Sequence, residues 1–299
     1  MESRLLRVLD QFLPGARLIR SWPLRGGISA QMTAFEVERA GKVERFVARL
    51  PGEWSWKENA NPTQSEFRLL TELRSMGIVC PEPVFQETEG HRPMYILKYI
   101  EGAVEVQPKD RGSFLRQYAT ALARLHQTDV SSPQLQILPR LLPAASLDNR
   151  PLNDKLREPE IRAILDSCPI PRTNGPVLCH GDLWPGNLLW RGGELVAIID
   201  WEEALIEEPL WDLSICRLDL HWLFGSQEAE EFTNLYQSLT NVDLSHLPYW
   251  DLRASLRPMA NIAGWAAGYP GIGRSDITVD HMEYQHGLFV ARALRELNA

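Results

Sequence analysis

A chain of 299 residues is longer than one small core needs and suits two lobes of ordinary domain size. At 44% hydrophobic and 23% charged it reads as globular rather than disordered, and a net charge of -8 disfavours nucleic acid, because phosphate binding calls for a basic face. No apolar run approaches the length that spans a bilayer, so no membrane association is expected.

In chain order, the opening segment sets Leu5, Leu9 and Phe12 at helical spacing, an amphipathic pattern without the unbroken apolar stretch of a signal peptide. Ala16 to Trp22, Gln31 to Arg39 and Glu44 to Leu50 follow as strands. The last two flank Ala40-Gly41-Lys42, which predicts a hairpin. Pro62 to Met76 carries Phe67, Leu70 and Leu73 at helical spacing, with Gly77 placed to cap its end. Val84-Phe85 and Met94 to Ile100 read as two more strands about a polar turn at Thr88 to Arg92. The sum is a five-stranded antiparallel sheet with one long helix, closed by a break at Glu101-Gly102.

Beyond that break the pattern turns mainly helical. Ser113 is expected to cap a helix bearing Phe114, Tyr118, Leu122 and Leu125. Ser131 to Pro176 is rich in proline and reads as loops and short helices. Val177 to Cys179, Asn187 to Trp190 and Leu195 to Ile199 are short apolar strands, with Arg191-Gly192-Gly193 as a turn. From about Leu210 the chain reads as helix with Pro and Gly interruptions. The expected architecture is α+β, with an N-terminal lobe over residues 1–101 and a mainly helical C-terminal lobe over residues 102–299. Cys80, Cys168, Cys179 and Cys216 are widely spaced and form no C-x-x-C pair, which predicts reduced thiols rather than a zinc or disulfide framework.

The chemistry is concentrated in His180-Gly181-Asp182-Leu183-Trp184-Pro185-Gly186-Asn187. Phosphoryl transfer needs a carboxylate for the acceptor hydroxyl, hard oxygen ligands for magnesium, and a cation on the phosphates. Asp182 and Asn187 are five apart, the separation of Asp and Asn in the protein-kinase loop H-R-D-x-x-x-x-N. Asp200 ends the apolar run from Leu195, and a carboxylate emerging from a buried strand is held still, as a metal ligand should be. The four fixed residues of H-G-D-x-x-x-x-N arise by chance in roughly one chain of this length in five hundred, and the spaced Asp200-Trp201-Glu202 makes coincidence rarer.

These two segments resemble the signatures of the aminoglycoside phosphotransferase and choline kinase family, whose bilobal fold is protein-kinase-like. The resemblance extends to Leu125-His126, to Glu208-Pro209-Leu210-Trp211-Asp212-Leu213, and to Met94–Gly102, which is similar to the family's inter-lobe hinge. It implies ATP and Mg2+ as cofactors, Asp182 as catalytic base, Asn187 and Asp200 as magnesium ligands, and His180 as loop support. It implies Arg49 as the phosphate cation in the place often held by Lys. Glu66 is the candidate to pair with Arg49, with Glu72 as competitor. Adenine would bond backbone groups near Lys98 and Ile100. Gly26, Gly27 and Ser29 lie where a phosphate loop should lie, although Leu24–Ser29 is no G-x-G-x-x-G motif. His126 reads as a packed or capping residue.

The acceptor is expected to be a small hydroxyl-bearing molecule. Glu202, Glu203, Glu207 and Glu208, followed by Asp219, Glu228, Glu230 and Glu231, would draw an amine-bearing substrate, against the plainer reading of a solvated helical face. Glu202 and Trp184 are the substrate candidates, since an aromatic face can hold an alkylammonium group. Leu183-Trp184 with Gly186-Asn187 resembles fructosamine kinases, but Asp200-Trp201-Glu202 departs from what those enzymes usually carry, so choline-type and fructosamine-type kinases stay open. A protein kinase is disfavoured by His-Gly-Asp in place of His-Arg-Asp and by the lack of D-F-G and A-P-E. A nucleotide-binding pseudokinase scaffold is disfavoured by the presence of all three chemical residues. A cytoplasmic location is expected, where ATP is available, and both monomer and homodimer stay open.

Overall fold

A computed structural model describes residues 2–24, 30–58, 60–88, 92–140 and 150–297. The chain divides into two compact units, Met1–Glu101 with Val196–Glu202, and Gly102–Leu195 with Glu203–Ala299. The segment ending in Asp200 and Glu202 therefore packs with the N-terminal residues, far from them in sequence.

The N-terminal unit contains α1 (Glu2–Phe12), β1 (Arg17–Pro23), β2 (Ala30–Arg39), β3 (Lys42–Pro51), α2 (Glu53–Glu58), α3 (Pro62–Ser75), β4 (Pro83–Gln86) and β5 (Tyr95–Lys98). Its strands form one five-stranded sheet in the order β1-β2-β3-β5-β4, with each neighbouring pair antiparallel. The expected hairpin forms, and Arg39 faces Lys42 across a turn whose Ala40 and Gly41 both have positive φ, the geometry that matches strand twist in a two-residue turn. The pairing makes β3 central, and its Phe46, Val47, Ala48 and Arg49 are buried. Leu5, Val8 and Leu9 share one stripe of α1 and join a core with Phe35, Val37, Phe46, Ala48, Met94 and Ile96. Asn61 caps α3 by accepting from the Gln64 N–H at 3.3 Å, and Pro62 occupies a first-turn position that needs no N–H. Gly77, at φ +80°, ends the helix, and the Ile78 N–H returns to Leu73 O at 3.0 Å. The short helix α2 went unread in the sequence.

The C-terminal unit contains β6 (Ala103–Val104), α4 (Arg111–His126), α5 (Glu158–Ser167), β7 (Val177–Cys179) and β8 (Leu188–Arg191). After β9 (Glu194–Ile198), which bridges the two units along the chain, come β10 (Leu205–Glu207), α6 (Pro209–Phe224), α7 (Ser226–Leu239), α8 (Leu247–Ala254), α9 (Ile262–Ala266) and α10 (Val279–Leu297). Strand β7 pairs antiparallel with β10, and β6 with β8. Helix α4 starts before the expected cap. Asp110 is extended, and its Oδ1 accepts from the Ser113 N–H at 2.8 Å, so Ser113 is a first-turn residue of a helix that Asp110 caps.

Helix α6 is buried on all sides from Pro209 to Leu223, which is why it shows no amphipathic stripe. It carries Asp212, Arg217, Asp219 and His221 into the interior. Arg217 is compensated there by Asp251 at 3.0 Å and Glu230 at 2.9 Å. Among the described residues no helix is long and apolar enough to cross a membrane.

Candidate active site

The loop after β7 is built around its own backbone. His180 is buried, and its Nδ1 accepts from the Asp182 N–H at 3.2 Å, which makes the imidazole a prop for the loop. Gly181 takes φ +83°, and a Cβ there would lie 2.2 Å from Glu203 O. Gly181→Ala is therefore expected to lower unfolding free energy by about 3 kcal/mol through left-handed strain plus overpacking, measured as a drop in denaturant midpoint. Beyond it, Asn187 Nδ2 donates to Asp182 O at 2.8 Å and to Asp182 Oδ2 at 3.0 Å. The five-residue spacing thus folds Asn187 back onto Asp182. Trp184 lies across Gly186, where a Cβ would meet the indole at 2.1 Å, so the Trp-Pro-Gly-Asn order serves loop packing. The same indole contacts Tyr269 edge-on at 6.1 Å.

The loop is pinned from α6 and α4. Asp212 Oδ2 accepts from the His180 N–H at 2.7 Å, and Oδ1 from the Gly181 N–H at 2.9 Å. Leu183 O accepts from Tyr118 Oη at 2.5 Å and from Cys216 Sγ at 3.1 Å. His126, on α4, is buried between Tyr236 Oη at 2.7 Å and Asp212 Oδ2 at 3.5 Å, a packed residue as expected.

Beside Asp182, Arg257 went unread in the sequence, and Asp219 was read only as part of an acidic run. Arg257, in the turn after α8, donates from Nη2 to Asp182 Oδ1 and lies 3.7 Å from Glu203. Burial opposes its charge, but Asp182, Glu203 and Asp219 hold the guanidinium above its ordinary value. Asp219, on α6, is buried, and burial pushes its carboxyl up to about 8, with Arg257 pulling down and Asp182 pushing further up. No local motif marks Arg257. Asp212 lay within a segment whose resemblance was noted, but it was given no role.

In the N-terminal unit Arg49 is the centre. Its Nε donates to Glu66 Oε2 at 2.8 Å, which selects Glu66 over Glu72. Tyr95 Oη donates to the same carboxylate oxygen at 2.5 Å. Arg49 Nη2 donates to Glu202 Oε2 at 3.0 Å and lies 3.3 Å from Asp200 Oδ1. Glu202, a substrate candidate in the sequence, is thus engaged with Arg49. Asp200 adopts φ +65°, a region costly for most side chains but tolerated by Asp and Asn. Its buried Oδ1 accepts no hydrogen bond among the described residues.

The hinge candidates separate. The Lys98 N–H donates to Glu82 O at 2.9 Å, and its exposed ammonium lies 3.3 Å from Glu82, so that amide is already engaged. Ile100 lies beyond the end of β5, after the Tyr99 N–H that donates to Arg45 O at 3.1 Å. Gly26, Gly27 and Ser29 lie outside the described residues.

Hard oxygen donors are available for a magnesium ion. Asn187 has its amide nitrogen engaged with Asp182, which leaves the amide oxygen as its ligand atom. Asp200 offers a carboxylate, whose Oδ1 lies 3.3 Å from Arg49 Nη2. Each is the kind of hard oxygen donor that magnesium takes.

A family model described as the phosphotransferase enzyme family matches residues 22–248. A homoserine kinase of Methylocella silvestris is 26% identical over 162 residues, covering 50% of this chain and 50% of that protein. Acyl-CoA dehydrogenase family member 11 of Pongo abelii is 24% identical over 263 residues, covering 74% of this chain and 33% of that protein. The chain thus spans about half of the first relative and a third of the second. A solved spectinomycin phosphotransferase, in complex with ADP and spectinomycin, superposes with TM-score 0.63 at 16% identity over 99% of this chain and 98% of its own. That likeness carries the fold, the α+β protein-kinase-like architecture expected from the sequence.

Proposed function

The chain belongs to the phosphotransferase enzyme family, and on that premise we propose that it is a small-molecule kinase that transfers the γ-phosphoryl group of ATP to a hydroxyl. The observation that carries this reading is the loop in which Asn187 and Arg257 fix both oxygens of Asp182 while Asp212 anchors the backbone before it. Asp182 would accept the acceptor's proton, because a carboxylate held this firmly meets a hydroxyl at a defined place. Arg49, held by Glu66, would grip phosphate through its planar fork. Asn187 and Asp200 would hold magnesium, which when bound neutralises charge on the phosphates. Adenine would use backbone near Ile100 rather than the engaged Lys98 amide.

The test is an ATP-consumption screen over amino alcohols, hydroxy amino acids, sugars, choline and aminoglycosides. At least one class is expected to drive ATP loss with a phosphorylated product. Strong labelling of proteins with no small-molecule turnover would overturn the choice of acceptor class. Asp200→Ala is expected to weaken magnesium-dependent ATP binding by tenfold or more in calorimetry while leaving magnesium-free nucleotide binding near wild type. Equal magnesium dependence in both proteins would remove Asp200 from the metal site.

A second reading is a hydroxy amino acid acceptor. It is favoured by the homoserine kinase named above, whose match covers half of that enzyme. Choline-type and fructosamine-type metabolite kinases are separated from it by the same screen.

A further inference from the structure

We propose that two copies of this chain pair through the outward face of α10, the two helices antiparallel about a two-fold axis at Gly287 and Leu288. The inference is independent of the kinase reading above. Helix α10 buries Met282, His286, Phe289, Val290, Ala293 and Leu294. At 3.6 residues per turn, Asp280, Tyr284, Gly287, Leu288, Ala291 and Arg295 point the other way, within an arc of about 100°. The outward face of an amphipathic helix ordinarily carries polar groups along its whole length. Here the charges stand only at the two ends, and Tyr, Gly, Leu and Ala fill the middle. Tyr284 is 66% exposed, more than any other large apolar side chain among the described residues, and Leu288, one turn on, is 45% exposed. A single exposed apolar side chain is ordinary, whereas two on successive turns with small neighbours form a patch.

The face is complementary to itself, which identifies the occupant as a second copy. In a two-fold contact, residue i meets j and j meets i. Three pairs on this face share one midpoint along the helix: Asp280 with Arg295, Tyr284 with Ala291, and Gly287 with Leu288. Antiparallel pairing about that midpoint therefore sets carboxylate against guanidinium at both ends. Between them it sets the large Tyr284 against the small Ala291, and Leu288 against Gly287. A Cβ at Gly287 would meet nothing within 4 Å, so the surface above it is open to an incoming Leu288. The missing side chain also lets the helix axes approach closely. Charges flanking the patch are satisfied within the chain, Glu283 lying 3.7 Å from Lys155, and Arg292 lying 2.6 Å from Glu296 and 2.5 Å from Glu230. Asp280 and Arg295 are exposed and make no ion pair among the described residues, and a second copy supplies a partner to each. A parallel pairing would set like charges together at both ends, which repulsion disfavours. One helix from each copy is a small interface beside the ~1,600 Å² of a standard one, so a weak dimer is expected, half associated at about 10–100 μM.

The experiment is sedimentation equilibrium of the full chain at low salt, from about 1 μM to about 500 μM. The wild-type mass is expected to rise from one chain toward two. Asp280→Arg alone, or Arg295→Asp alone, sets like charges together at both ends of the pair and should weaken association about tenfold. The double variant Asp280→Arg with Arg295→Asp restores opposite charges and should return association to within about threefold of wild type. Leu288→Asp should abolish it, and Leu288→Ala, expected to weaken it severalfold, keeps the test decisive if the aspartate variant does not fold. A wild type that stays monomeric at the highest concentration overturns the proposal. A dimer that survives both Leu288 variants unchanged places the contact elsewhere and also overturns it. A double variant no tighter than the single ones overturns the antiparallel pairing. None of these side chains belongs to the site around Asp182, so neither result bears on the kinase reading.

Discussion

Asp182→Asn is expected to lower turnover by about three orders of magnitude while ATP affinity stays within about twofold of wild type. The substitution keeps shape and one acceptor oxygen, so Asn187 Nδ2 can still be met from position 182, and the backbone bonds of the loop do not involve the lost charge. What disappears is the group able to take a proton. A residue that only organised the loop would show the opposite pattern, with a modest rate effect and a clear loss of stability. Steady-state rates with a substrate from the screen, together with calorimetry for the nucleotide, separate the two. Retention of more than a tenth of wild-type turnover would remove Asp182 as the base.

The features legible in the sequence were those set by local rules. The β2–β3 hairpin follows from a two-residue turn between apolar runs, and the stop of α3 from a glycine that can take positive φ. The loop from His180 to Asn187 was legible because its spacing serves the loop's own hydrogen bonds. Glu66 could be preferred to its competitor Glu72 as the partner of Arg49, because it lies on the helix after the strand that carries Arg49. The misread features depended on neighbours distant in sequence. Ser113 was a reasonable cap until the extended Asp110 reached its amide first. Glu202 looked like part of an acidic surface until the segment after β9 packed into the N-terminal unit and met Arg49. Arg257 lies in a turn with no motif, and its partner is far away in the chain. Asp212, Cys216 and Asp219 stand at i, i+4 and i+7 on α6, one stripe of a helix. Ser214, Arg217 and His221 put polar residues at other positions of the same buried helix, so the spacing of these three did not stand out.

That stripe carries the other large effect. Asp212→Ala is expected to lower unfolding free energy by about 4 kcal/mol at neutral pH and to reduce turnover by about two orders of magnitude. The side chain is fully buried, and its two oxygens accept from the N–H groups of His180 and Gly181 and face the imidazole of His126. Alanine leaves two amides and an imidazole without that acceptor in a place water does not reach, and each unmet buried group costs about 1–3 kcal/mol. Burial alone would raise the Asp212 carboxyl, yet the His126 hydrogen bond, the two nearby imidazoles and the Gly181 amide together hold it below its ordinary 3.8. The sign follows for pH. A carboxylate with a lowered folded-state value contributes stability that is complete above 3.8 and is lost as pH falls through the lowered value. Wild type and Asp212→Ala should therefore differ fully at pH 7 and converge in strong acid, as read by urea unfolding across pH. Asp212→Asn, which keeps one acceptor oxygen, should recover part of the stability without the pH dependence. A stability loss below about 1 kcal/mol in the alanine variant would mean that the loop is held by Tyr118 and Cys216 through Leu183 O, and that Asp212 is a bystander to the base it lies behind.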